Sequence, residues 1–354
     1  MAVSKPPRSA SQSRPRLGAI AVQWLGNETL LYVVKRFFQA LLTLLLASAL
    51  CFTIAQLAPG DFLDQLRQNP QFSEETIQQY VRQYGLDRPL VVQYWQWIVG
   101  VITRGDFGES FTYNRPVLEI IASRVPATLL LAIASLILTW AIAIPLGVIA
   151  AVNQNRWSDR ILRLLSYVGQ GLPSFVTALI LLLFAQLTSP LFPVGGMTSI
   201  DFAQRTLFGK TLDIGWHLIL PAIALSITGF ASLQRLMRGQ LLDVLRQDYI
   251  RTARAKGLPE NRVIYIHAFR NAVNPLITLL GFEIASLLGG AFITELFFNW
   301  PGIGRLTLQA VQQQDLYLTM ASLMMGAAML ITGNLLADLL LKAVDPRIQL
   351  SNLR

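Results

Sequence analysis

The chain has 354 residues, 53% hydrophobic and only 14% charged, with a net charge of +9. A soluble domain carries about a quarter charged residues, so this is a membrane protein; the basic residues lie in loops between apolar runs, with no nucleic-acid motif. One cysteine, Cys51, and two histidines exclude a disulfide framework and argue against a His/Cys metal cluster.

Residues 1–34 are rich in Ser, Pro and Arg without an apolar period, which predicts a mobile cytoplasmic tail. A first transmembrane helix is expected over 35–58. Its apolar run starts at Phe37, after Lys35 and Arg36, and reaches about the 20 residues needed to cross a bilayer. Ala47-Ser48-Ala49 looks like a processing site but lies inside the run, so a retained anchor is expected. Pro59-Gly60-Asp61 ends the span and opens an external segment over 59–126. There Ser73 is a candidate N-cap, with Ile77, Tyr80, Val81 and Tyr84 at helical spacing and Gly85 as the stop. A second amphipathic stretch puts Val91, Tyr94, Trp95, Ile98 and Val101 on one side, and Tyr94, Trp95 and Trp97 suit the headgroup level. This segment can meet an external partner or pack over the helix ends.

The membrane core is expected over 127–346. Thr128 to Val152 carries no charge and is the clearest span, with Pro145 and Gly147 suited to bend it. After a basic turn, a third span runs from Ile161 to about Leu187 and holds G-Q-G-L-P-S-F, Gly169 to Phe175. Pro145, Gly171 and Pro173 are candidates to line a translocation pathway, against the alternative that Gly and Pro are common in membrane helices. Thr188 to Gly215 reads as a second external loop, and Trp216 to about Leu236 as a fourth span.

A cytoplasmic loop over 238–272 follows. In D-Y-I-R-T-A-R-A-K-G-L-P, Ala253, Ala255, Arg251, Arg254 and Lys256 favour helix, Gly257 suits a left-handed stop and Pro259 suits the start of the next helix. The pattern predicts a short helix, a corner and a second helix. Ile250, Ala253, Arg254 and Gly257 share one face, where small side chains would admit another protein's backbone. A basic amphipathic loop can also lie on anionic lipid.

A fifth span is expected from Pro275 to Phe298, with Gly281, Ala285 and Gly289 forming a close-packing face. Glu283 lies inside it, where an unneutralised carboxylate costs at least about 2.5 kcal/mol. It is expected to face the conduit, a pairing partner or the interface; Glu295 is expected to be interfacial. N-W-P-G-I-G-R-L, Asn299 to Leu306, is an external turn before a sixth span from Leu316 to about Leu341, in which Asp338 should pair near the inner surface. Residues 347–354 form a cytoplasmic C-terminus. Six spans make this an all-α polytopic membrane protein. With both termini cytoplasmic, most of the 29 Lys and Arg residues fall on the inner side, as the positive-inside rule asks. No phosphate-cradling loop, dinucleotide fingerprint or hydrolase motif is present, so no covalent chemistry is expected in this chain.

At Arg251, Thr252, Ala253 and Gly257 the chain resembles the permease subunits of binding-protein-dependent ABC importers of the dipeptide and oligopeptide (peptide/nickel) type. Their Glu-Ala-Ala, three residues, Gly loop forms a coupling helix; here the acidic first position is Arg251. H-A-F-R-N-A (His267 to Ala272) with Pro275 is similar to the peptide branch, as are Y-G-L-D-R-P-L, R-G-D-F-G-E-S, R-V-P-A-T-L, W-P-G-I-G-R and D-P-R-I. The resemblance implies a type I importer permease core in the bacterial cytoplasmic (inner) membrane. It implies as partners a second homologous permease, two ABC ATPases that bind the ATP and Mg, an external solute-binding protein and the lipid bilayer, with no cofactor in this chain. It assigns ATPase coupling to Asp248, Ile250, Arg251, Thr252, Ala253, Arg254, Ala255, Lys256, Gly257, His267, Arg270 and Asn271. Peptide is the expected cargo class; nickel, oligosaccharides and glutathione are carried by similar permeases. The competing readings are an ion-coupled secondary transporter, which would show inverted repeats, and a membrane anchor or assembly factor that moves nothing.

Overall fold

The computed structural model describes residues 27–58, 60, 62–68 and 73–344. The predicted tail up to residue 26, Pro59, Asp61, and the chain from 345 on, including D-P-R-I, lie outside the described residues. Among the described residues every long element is a helix, and the one β feature is an isolated bridge between Glu109 and Pro116.

The first span, α1 (Asn27–Leu57), begins before residue 35 because the apolar Leu30 to Val34 continues the helix N-terminally past Lys35 and Arg36. Three shorter helices follow in the segment expected to be external: α2 (Phe62–Gln68), α3 (Glu74–Tyr84) and α4 (Leu90–Arg104). Ser73 caps α3 by accepting from the Thr76 amide at 3.2 Å, and Gly85 ends it at φ +63°, as the spacing predicts. On α4 the buried face is Gln93, Trp97, Ile98 and Gly100, whereas Val91 and Trp95 are exposed, so the predicted face is rotated. Trp97 turns into the protein instead of toward headgroups. It packs with Phe52 of α1 and Met320, and its indole N–H donates to Phe107 O at 3.0 Å.

The second span, α5 (Val117–Val152), starts well before Thr128 and runs unbroken through Pro126 and Pro145. Burial explains the extension, because Val117, Ile120 and Ile121 pack on Leu306, Ala310 and Leu318. Gly147 is a point of close approach: a Cβ there would stand 2.6 Å from Met237 Cβ. The expected third span is two helices, α6 (Trp157–Gly171) and α7 (Ser174–Leu187), bent by 107°. Pro173 holds Leu172 in extended backbone (φ −85°, ψ 123°), which stops the helix there. α6 turns polar residues inward: Asp159 accepts two bonds from the Arg238 guanidinium at 2.6 and 2.9 Å, and Ser166 donates to Gln234 at 2.5 Å.

The fourth span, α8 (Leu207–Leu245), takes in residues 207–215 of the expected second external loop. Thr206 starts the helix there, its side chain accepting from the Gly209 amide at 3.2 Å. Asp213 fastens the remaining loop to α8 by accepting from Ser199 N at 2.8 Å and Ser199 Oγ at 2.5 Å, and by pairing with Arg205 at 3.0 Å. Among the described residues α5 and α8 form the longest helix pair, and the other helices pack around it.

Beyond α8 come α9 (Asp248–Ala255), α10 (Glu260–Arg262), a π-helical stretch (Val263–Ala268) and α11 (Phe269–Ala272). Then come α12 (Asn274–Phe297), the short α13 (Ile303–Gln312) and α14 (Leu316–Val344). Arg36 and the Tyr32 hydroxyl of α1 both donate to Asp338 of α14, at 3.0 and 2.6 Å, so Asp338 is paired as expected. Gly281, Ala285 and Gly289 sit on α12, but their packing lies outside the described residues. Among the described residues four helices are long and apolar enough to cross a membrane, and the bent α6–α7 pair is a fifth candidate.

Candidate functional site

The loop between α8 and α12 folds as the sequence predicts: helix, corner, helix. α9 ends with Gly257 at φ +75°, its N–H donating to Arg254 O at 2.9 Å while the Leu258 N–H donates to Ala253 O at 3.4 Å. Pro259 then opens α10. Arg254 closes the corner with two bonds to Glu260, at 3.1 and 2.6 Å. The Arg254 guanidinium beside Glu260 holds its carboxyl below the usual carboxylate range.

The face of α9 differs from the expected one. Ile250 and Ala253 point into the chain's own core, where they join Leu241 and Met237 of α8, Val148 of α5, Ile264 and Leu276. The hydrophobic effect favours this: burying an isoleucine contributes about 1.5–3 kcal/mol, and the ends of α5, α8 and α12 supply the apolar wall. Side chains left outward are Asp248, Arg251, Thr252, Arg254, Ala255 and Lys256, together with Gly257. Arg251 and Asp248 pair at 3.3 Å on this surface.

The second segment comes to the same place. Asn271 donates to the exposed Tyr249 hydroxyl at 3.1 Å and to His267 O at 2.9 Å, tying α11 to α9. Arg270 is exposed and His267 half-buried. Tyr249, Tyr265 and Ile266 add exposed aromatic and apolar area that the helical reading missed. Tyr265 and Ile266 lie in the π-helical stretch, which shifts the register of the side chains around it and leaves no simple trace in composition.

The pathway candidates do not gather at one point. Pro145 is exposed on α5, whereas Gly171 and Pro173 flank the α6–α7 bend, with nothing within 4 Å of a Cβ built on Gly171. Glu283 of α12 accepts a hydrogen bond from the Trp140 indole of α5 at 2.9 Å, and a Cβ on Gly229 of α8 would lie 3.8 Å from its Oε1. It therefore sits where three long helices meet. Glu295 does not face outward from the protein: it is fully buried and ties the turn after α12 together. It accepts from Thr128 Oγ1 at 2.6 Å, from the Gly304 amide at 2.7 Å and from the Arg305 amide at 3.2 Å. A Cβ on Gly302 would overlap this carboxylate, and one on Gly304 would press on Phe292. The two glycines in W-P-G-I-G-R are thus spaces left for Glu295 and α12. Among the described residues no three or more His, Cys, Asp or Glu side chains are grouped to hold a metal ion.

Comparison with known proteins matches this arrangement to one family. The family described as "Binding-protein-dependent transport system inner membrane component" matches residues 143–350, and its N-terminal counterpart matches residues 29–132. Similar relatives include the oligopeptide transport system permease protein AppB of Bacillus subtilis, 40% identical over 319 residues, covering 90% of this chain and 99% of that one. The glutathione transport system permease protein GsiC of Salmonella choleraesuis is 36% identical over 318 residues, covering 90% and 98%. The dipeptide transport system permease protein DppB of Escherichia coli K12 is 36% identical over 334 residues, with the same shares. A polytopic helical chain with a solvent-facing corner at one end of its longest helix pair therefore belongs to the family of binding-protein-dependent transport system inner membrane components.

Proposed function

We propose that this chain forms half of a translocation pathway for peptides or a similar small solute. A second homologous permease supplies the other half, two ATPases bind ATP and Mg beneath them, and an external binding protein delivers the cargo. α12 and the α6–α7 pair complete six spans, and both termini are cytoplasmic. The observation that carries the reading is the corner at Asp248–Gly257. Its polar face is open, while Ile250 and Ala253 fix it to the ends of α5, α8 and α12. A push on α9 is thus delivered to three long helices together. ATP-driven closure of the ATPases can shift the pathway only if the closed dimer prefers one conformation by several kcal/mol. Glu283 is the proposed polar contact of the conduit wall.

The test is reconstitution with the partner permease, ATPases and binding protein. Binding-protein-stimulated ATP hydrolysis and uptake that survives collapse of the ion gradient support the reading. Uptake that follows the ion gradient and ignores ATP would instead make the chain an ion-coupled secondary transporter.

A further inference from the structure

At the end of the molecule remote from the corner lies a small cavity of about 110 Å³, lined by Tyr113, Arg124, Gly302, Arg305 and Gln309 among others. Arg124 comes from α5 and Arg305 from α13. On the continuous helix α5, Arg124 is about 35 Å from Gly147, at 1.5 Å per residue, and Gly147 packs against the inner end of α8. With the corner on the cytoplasmic side, the cavity is external.

Its charge is not balanced. Among the described residues neither Arg124 nor Arg305 has a carboxylate within ion-pair distance. Arg124 Nε is buried with no hydrogen-bond partner, and the Arg305 guanidinium donates to Asn299 O at 3.2 Å. Glu119, on the same helix as Arg124, is taken by Arg115 at 3.2 Å. Glu295 lies behind Gly302, but its oxygens are occupied by Thr128 and by the amides of Gly304 and Arg305. Even with Glu295 ionised, two guanidiniums leave the cluster one positive charge in excess. A buried guanidinium nitrogen without a partner is costly, and a planar carboxylate matches guanidinium geometry.

We propose that the Arg124–Arg305 cavity is an external carboxylate-binding site of this permease. The carboxylate comes either from an acidic side chain of the docked binding protein or from the free C-terminus of a peptide cargo. This rests on the permease reading, so the experiment separates the two. The complete complex is reconstituted, and Arg124→Gln, Arg305→Gln and Arg124→Lys are compared with wild type. One arm measures the affinity of the binding protein for the complex; the other compares ATP-driven uptake of trialanine with that of trialanine amide. Each Gln variant is expected to lower binding-protein affinity, or uptake of the free acid, by about tenfold, with Arg124→Lys closer to wild type. Weaker docking of the binding protein, with uptake of both peptides lowered alike, assigns the carboxylate to the binding protein. A loss confined to the free acid assigns it to the cargo. Unchanged affinity and an unchanged acid-to-amide ratio in assembled Gln variants would overturn the site. Should Arg124→Gln not assemble, Arg305→Gln at the half-buried α13 position decides. A wild-type complex that shows no ATP-driven uptake counts against the permease reading, while the affinity arm still tests the cavity.

Discussion

The two chain reversals at opposite ends of the bundle use their carboxylates in opposite ways. At the corner, Glu260 and Asp248 are solvent-facing and each pairs with an arginine on the surface, while the apolar side of α9 holds the segment in place. At the turn between α12 and α13, Glu295 is fully buried and takes hydrogen bonds from two backbone amides and a threonine. Surface pairs contribute little and can be exchanged; a buried carboxylate is tolerated only when every oxygen is satisfied. The corner is thus anchored by packing and leaves its polar face available, whereas the turn after α12 is held by buried polar bonds that converge on one carboxylate.

The sharpest way to break this contrast is Gly302→Ala. Backbone conformation is no obstacle at φ −97°, so the effect is one of space alone. The added methyl overlaps the Glu295 carboxylate, which cannot withdraw without leaving the Thr128, Gly304 and Arg305 donors unpaired. A loss of about 3 kcal/mol is expected, read as a drop in thermal stability in detergent. A stable, fully active Gly302→Ala protein would show that the turn is not locked by Glu295. The matching substitution Gly257→Ala should cost about 1 kcal/mol, from φ +75° alone, because nothing lies within 4 Å of its Cβ position.

Ala253→Arg and Ala255→Arg test the orientation of α9. Ala253 packs against the core and Ala255 is exposed on the same helix. Forcing a guanidinium into the core should cost about 2 kcal/mol and reduce assembly. Arginine at Ala255 should fold normally, and under the proposed coupling it should separate ATP hydrolysis from uptake. Equal stability of the two variants would return the docking face to the side expected from the sequence.

These positions also show what a sequence can disclose. The corner is legible because its determinants are local: Gly257 supplies a positive φ and Pro259 an N-terminal start, whatever surrounds them. Which side of α9 faces inward is not, since Ile250 and Ala253 lie on one face in either reading and the choice depends on walls built by α5, α8 and α12. The same holds for Trp97, whose type suits a membrane interface but whose indole finds Phe107 O inside the protein. Pro173 marks the place of a bend, while its size, 107°, has no local signal, because α6 is fastened to α8 through Asp159 and Ser166, contacts distant in sequence. Glu295 could not be placed because its partners lie as far off as Thr128 in sequence.

Glu283→Gln is a gentler probe. Glutamine keeps an oxygen for the Trp140 indole, so stability should change by less than about 1 kcal/mol. Under the proposed pathway role, uptake should change more than stability, because the ionisable carboxyl beside Gly229 is replaced by an amide. Unchanged uptake kinetics would make Glu283 a packing group.

The smallest expected effect belongs to the Arg254–Glu260 pair. The arginine lowers the folded-state pKa of Glu260 below its unfolded value, so the pair's contribution is present above the unfolded carboxylate pKa and is lost as pH falls through the folded one. Both groups are about half exposed, so solvent screening limits the contribution to roughly a few tenths of a kcal/mol. Amide protection of Arg254–Glu260, taken relative to the intrinsic exchange rate at each pH, should therefore fall only slightly on acidification, and Glu260→Gln should remove that fall. A large acid-induced opening would mean that the ion pair, rather than Ile250 and Ala253, holds the corner, and would erase the difference between the two ends of the bundle.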